Sequence, residues 1–178
     1  MMLETNRLHL STWEYEDWTQ FRELATDPEV MRYITGGAPW TDEKIRSFVD
    51  IQIETYGARG FCRWKLLTKS GRHFIGFCGA NVWRDSPDPE IGWWLKRAYW
   101  GRGLATEAAS AALRDLFERV RLDRVISVAM PANLASTNVM RKLGLAFDGE
   151  FENQGTPLVR YALDRASYEA RRLEHSSN

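Results

Sequence analysis

The chain has 178 residues, enough for one sizeable core, and a single domain over residues 1–178 is expected. With 44% hydrophobic and 27% charged residues it has the composition of a soluble globular protein. Lys+Arg and Asp+Glu number 24 each, a zero balance that argues against nucleic acid as a partner. No stretch approaches the roughly 18 apolar residues of a membrane span. Met1 to Arg7 lacks the basic start and apolar run of a signal peptide, so a cytoplasmic protein with no membrane partner is expected, as monomer or homodimer. Cys62 and Cys78 fall in neighbouring strand-like runs and read as reduced, buried thiols.

Thr5 to Trp13 alternates, with Leu8 and Leu10 on one face and Arg7 and His9 on the other, which predicts a half-buried first strand. Asp17 to Thr26 carries Trp18, Phe21, Leu24 and Ala25 at helical spacing, and Asp27-Pro28 is expected to stop that helix. A second helix is predicted from about Asp42 to Tyr56 behind a Thr41-Asp42 cap. Between the two, Tyr33 to Trp40 holds two glycines and a proline and reads as a loop, either one that carries specificity or a connector whose Trp40 packs on the sheet. Phe61 to Leu67 and Phe74 to Trp83 predict an antiparallel hairpin around Lys69-Ser70-Gly71-Arg72. Glu90 to Leu95 is strand-like, with Glu90, Gly92 and Trp94 on one face and Ile91, Trp93 and Leu95 on the other.

Trp100-Gly101-Arg102-Gly103-Leu104-Ala105-Thr106-Glu107 leads from that strand into the longest helical pattern of the chain. Apolar residues at Ala105, Ala108, Ala109, Ala112, Leu113, Leu116, Phe117 and Val120 trace one helix face. Two glycines let the backbone turn tightly, and a helix start offers unpaired N–H donors and about half a positive charge, so the stretch reads as a phosphate cradle or as a plain tight turn. It matches neither the dinucleotide-binding nor the Walker glycine pattern. Arg124 to Met130 then predicts a buried central strand, and Asn133 to Gly144 a short helix. Ala146 to Asn153 and Thr156 to Asp164 should pair around Gln154-Gly155, with Phe147 and Phe151 sharing a face with Val159, Tyr161 and Leu163. Arg165 to Leu173 adds a helical turn or two, and Glu174 to Asn178 is expected to fray.

Glu90-Ile91-Gly92-Trp93-Trp94-Leu95, Tyr99 to Ala108, Asn133-x-x-Ser136 and Lys142-Leu143-Gly144-Leu145 together resemble the GNAT superfamily of acyl-CoA N-acyltransferases, its RimJ/RimL-like branch most closely. The resemblance covers nearly the whole chain. It implies an α+β GNAT fold, a mixed, mostly antiparallel sheet of about seven strands with about four helices, splayed between its fourth and fifth strands. It also implies acetyl-CoA as co-substrate, no metal, and direct transfer of acetyl to a primary amine, a protein N-terminus or a small amine. The backbone of Trp93, Trp94 and Leu95 would then bond the pantetheine arm, and the N–H groups of Gly101, Arg102, Gly103, Leu104, Ala105 and Thr106 would take the pyrophosphate. Asn133 and Asn138 would assist the pantetheine, or simply cap the helix. Arg97 and Arg102 would screen phosphates or remain solvated.

Transfer from an ammonium needs a route for its proton, and Glu90 is the candidate base, with orientation of the acceptor as its other reading. Asp85, Asp88 and His73 are weaker candidates because they sit in turns. Many relatives protonate the leaving thiolate with a tyrosine whose place is taken here by Met140; Ser136 would supply a hydroxyl instead, in agreement with the RimL-like branch, or would only cap the helix. Val128 stands where some relatives carry a glutamate. Trp40 and Trp83 are candidates for an apolar wall around the acceptor. Neither cysteine shows the setting of a nucleophile, so no acyl-enzyme is expected. An acyl-CoA-binding sensor is the alternative from another class.

Overall fold

The structure, a computed structural model, describes residues 2–82 and 86–176. Eight strands form one sheet in the order β1-β2-β3-β4-β5-β6-β8-β7, where β1 is Met2–Glu4, β2 Leu8–Ser11, β3 Arg63–Thr68, β4 Phe74–Asn81, β5 Glu90–Leu95, β6 Arg124–Ala129, β7 Ala146–Asn153 and β8 Thr156–Asp164. All neighbours are antiparallel except β5 and β6. This is the expected α+β arrangement with one strand more: β1 lies ahead of the predicted first strand, Thr5 to Trp13, and is joined to β2 by a turn in which Thr5 N–H donates to Leu8 O.

Six helices accompany the sheet: α1 Trp18–Ala25, α2 Pro28–Thr35, α3 Asp42–Arg59, α4 Leu104–Arg114, α5 Leu134–Leu143 and α6 Arg165–Ser176. α2 corrects the sequence reading. Asp27-Pro28 does end α1, but it also starts the next helix: the Asp27 carboxylate accepts from Glu29 N, and proline at the first helical position needs no N–H partner. The loop thus shrinks to residues 36–41, after Gly36 closes α2 in a left-handed conformation. The long helical pattern after Thr106 also changes character, since Asp115–Arg119 forms a π turn in which Val120 N reaches Asp115 O. α6 runs on to Ser176, three residues beyond the expected end, and Tyr168 stacks on Phe117 with ring centroids 4.7 Å apart.

Trp94, Phe77, Phe21 of α1 and Phe48 of α3 pack ring on ring over one face of the sheet. α4 packs against β4 and β5, and burial of Ala108, Ala109, Ala112, Leu113, Leu116 and Phe117 follows the predicted stripe. Phe147 departs from expectation. It lies opposite Tyr161 in register yet is 58% exposed, because β7 is the outer strand and shifts register between Phe147 and Gly149. Cys62 and Cys78 are both buried free thiols; burial raises the Cys62 pKa to about 12 and that of Cys78 still further. No described helix is long and apolar enough to cross a membrane.

Candidate active site

β5 follows β4 along its whole length, from Asn81↔Glu90 to Gly76↔Leu95, but shares a single register pair with β6, Glu90↔Ile126. β6 meanwhile stays with β8 from Arg124↔Asp164 to Ala129↔Val159. Each strand keeps its antiparallel partner, so the two part beyond Glu90, as the sequence resemblance implies. On the parting edge, Ile126 N donates to Pro89 O at 3.0 Å and Ser127 Oγ donates to Ile91 O at 2.8 Å. Backbone groups alternate sides along a strand, which turns the N–H and C=O of Trp93 into the gap. At its far end, Trp100 Nε1 donates to Leu95 O at 2.7 Å. Of the three residues expected to offer backbone, Trp93 faces the gap with both groups and Leu95 with its N–H, its C=O being taken by Trp100; Trp94 faces β4, and its ring lies in the aromatic layer.

The gap leads to the start of α4. Gly101 and Gly103 both have left-handed backbone, φ +69° and +73°, which glycine adopts without the steric cost of a side chain. A Cβ on Gly101 would meet no atom within 4 Å, so the turn is open to an incoming group. The helix has no side-chain cap, leaving N–H groups of its first turn free. These residues suit an extended ligand with a phosphate: an unpaired strand edge for amides, then a bare helix start for the anion.

A brace fixes this turn from the other end of the sheet. Glu107 accepts from Thr5 Oγ1 at 2.6 Å, Arg7 N at 2.9 Å and Arg7 Nε at 2.6 Å, and Arg7 Nη1 donates to Arg102 O at 2.9 Å. Partial burial pushes the Glu107 carboxyl up, but the hydrogen bonds from Thr5 and Arg7 outweigh it and hold the group below the ordinary carboxylate value. Sequence reading assigned Arg7 only to the polar face of a strand. An acid in the first turn of α4 was the available signal, but its partners lie about a hundred residues away. Arg97 and Arg102 are exposed, with Arg102 over the Tyr99 ring.

The parted strands open into a cleft of about 730 Å³ that brings Glu90, Trp93, Ala105, Asn133 and Ser136 together. Asn133 Oδ1 caps α5 by accepting from Ser136 N at 3.2 Å, while the Ser136 hydroxyl makes no hydrogen bond among the described residues. Asn138 lies apart from the cleft and takes a bond from Arg141. Met140 is fully buried in the core and Val128 lines the cleft. Trp40 does not line it. Its ring sits 5.0 Å from Trp94 with Lys44 above, the sheet-packing alternative for this residue. Trp83 and Asp85 fall outside the described residues. Asp88 pairs with Arg124 at 3.0 Å, and His73 is exposed in the β3–β4 turn.

Glu90 is 7% exposed at the point where the strands part, and Arg63 of β3 forms an ion pair with it through Nη2. Arg63, Gly79 and Gly92 lie in one row across β3, β4 and β5, and Glu90 stands two residues before Gly92 on the same face. A Cβ on Gly92 would come within 3.3 Å of Glu90 Oε1. Gln52 of α3 fixes the strand behind, its Oε1 accepting from Arg63 N and Asn81 Nδ2. Sequence reasoning missed Arg63, which nothing local distinguishes from any other strand arginine. Arg32 and Tyr33 of α2 and Gln154 and Thr156 of the β7–β8 hairpin also line the cleft.

The Acetyltransferase (GNAT) domain family matches residues 7–146. "Uncharacterized N-acetyltransferase YnaD" of Bacillus subtilis is 31% identical over 152 residues, covering 85% of this chain and 86% of its own. A crystal structure of a GNAT-family acetyltransferase from Bacillus anthracis superposes with a TM-score of 0.78 at 28% identity, over 93% of this chain and 99% of its own. RimL, a ribosomal-protein alpha-N-acetyltransferase solved with coenzyme A, shares the fold at a TM-score of 0.78 and 17% identity, over 94% and 99% of the two chains. The parted strands, the glycine turn and these matches agree: the chain belongs to the GNAT family of acetyltransferases.

Proposed function

We propose that this enzyme binds acetyl-CoA in the gap between β5 and β6 and passes the acetyl group directly to a primary amine, a protein N-terminal amine above all. The single observation that carries the reading is the open Trp93 edge running into the bare start of α4, with Glu90 buried where the strands part. Trp93 N–H and C=O bond the pantetheine amides, and the N–H groups from Gly101 to Thr106 take the pyrophosphate. The acceptor arrives as an ammonium, and Glu90 accepts the proton that frees its lone pair. Nitrogen attacks the thioester carbon, the C–N bond forms, and the C–S bond breaks. The second nitrogen proton leaves as the amide forms, and the thiolate takes a hydrogen bond or proton relayed by the Ser136 hydroxyl. The balance is one thioester and one ammonium in, one amide, one thiol and one proton out.

A protein N-terminus as acceptor draws support from the fold shared with RimL. The test uses isotopically labelled acetyl-CoA with the protein and small-molecule pools of one cell extract, read by mass spectrometry. Label on polypeptide α-amines is expected. Label among small molecules alone would replace the acceptor by a metabolite amine, and acetyl-CoA binding without amine-dependent release of CoA would make the protein a sensor.

A further inference from the structure

Arg63 and Glu90 both line the cleft, and their pairing leaves one donor and one acceptor unused. Glu90 Oε2 takes Arg63 Nη2, while Glu90 Oε1 and Arg63 Nη1 make no hydrogen bond among the described residues. A guanidinium carries five N–H donors, and this one, 21% exposed, uses a single one, with its Nε buried and unpartnered among the described residues. The Nη1 group is unpartnered but not closed off, so a ligand oxygen can reach it. Among the described residues the charged lining of the cleft is Glu29, Arg32, Arg63 and Glu90, two acids and two bases, so it carries no net charge that would favour a second cation on the acceptor.

Resting on the acetyltransferase reading above, we infer that Arg63 sets acceptor specificity by holding a carbonyl or carboxylate oxygen that the acceptor carries beside its amine. An ammonium on Glu90 Oε1 and an oxygen on Arg63 Nη1 flank the existing ion pair, and an α-amino carbonyl group presents that donor and acceptor two carbons apart. Peptide N-termini and free amino acids share this chemistry. Simple alkylamines and diamines lack it.

The test measures kcat/KM by release of CoA thiol with glycinamide, glycine, ethylamine and 1,4-diaminobutane, each rate expressed per protonated amine, the form that Glu90 receives. In the wild-type enzyme glycinamide or glycine should exceed both other amines by about tenfold or more, the discrimination expected of a hydrogen bond from a charged donor. Preference for glycinamide identifies a peptide terminus as the source of the oxygen, and preference for glycine a free amino acid. Arg63→Lys keeps a positive charge beside Glu90 but loses the planar fork, and should reduce the glycinamide-to-ethylamine ratio about tenfold. A wild-type enzyme without the preference overturns the inference, and needs no variant to fold. An Arg63→Lys enzyme in which all acceptors lose rate equally also overturns it, since a purely structural arginine would behave so. Absence of acetyl-CoA binding by calorimetry would instead overturn the acetyltransferase reading on which it rests.

Discussion

The half of the cleft that runs from β5 into α4 is built from backbone, whereas the half between α2, β3 and the β7–β8 hairpin is built from side chains. Backbone groups are the same whatever the residue, so the first half suits a ligand common to a whole family. Side chains differ at every position, so the second half suits an acceptor that varies. The brace from Arg7 to Glu107 belongs to the first half, and the Arg63–Glu90 pair stands at the border of the two.

Five substitutions probe this division. Gly103→Glu should act most strongly on cofactor binding, because a side chain at φ +73° costs about 1–2 kcal/mol and its carboxylate repels the phosphate. Calorimetry should show acetyl-CoA binding weakened by about 100-fold or more; retained affinity would sink the phosphate cradle. Glu90→Gln should lower kcat/KM by roughly 10²–10⁴ while acetyl-CoA affinity stays nearly intact. A pH–rate profile identical to that of the wild type would remove Glu90 as the base.

Arg7→Ala should raise the KM for acetyl-CoA several-fold with a smaller change in kcat, since exposed charge pairs contribute only about 0.2–1 kcal/mol and the bond to Arg102 O adds a little more. The same brace has a pH signature. The Glu107 carboxyl is depressed in the folded protein, so its stabilising effect is fully present above the reference value of 4.5 and is lost as pH falls through the folded value. Acetyl-CoA binding followed on acidification below pH 4.5 should weaken earlier in Thr5→Ala than in wild type, and coincident curves would separate Glu107 from the cradle. Trp40→Ala should have the smallest effect on function. It removes a ring from the Phe21, Phe48 and Trp94 layer and should lower stability by about 2–4 kcal/mol in thermal unfolding. A changed acceptor preference in that variant would return Trp40 to the binding wall.

How far the sequence reaches follows the same division. β5 is read with its observed limits, and the stripe from Ala105 to Phe117 announces α4, because both rest on periodicity over neighbouring residues. The β7–β8 pairing around Gln154-Gly155 is legible from turn chemistry. α2 hides behind Asp27-Pro28, since one dipeptide serves equally to end a helix and to begin one. Phe147 is misplaced by its apolar character, because parity along a strand does not reveal which strand lies at the edge.

By itself the sequence determined the backbone features of this protein: where β5 ends, where the chain turns through Gly101 and Gly103, and where α4 begins. These depend on sterics and hydrogen bonding within a few residues, which a local pattern encodes. Only the tertiary structure decided that β5 leaves β6 after one pair, that Thr5 and Arg7 clasp Glu107, and that Arg63 of β3 reaches Glu90 of β5. Those contacts depend on strand order and register, which bring together side chains 27 to 102 residues apart that no local rule connects.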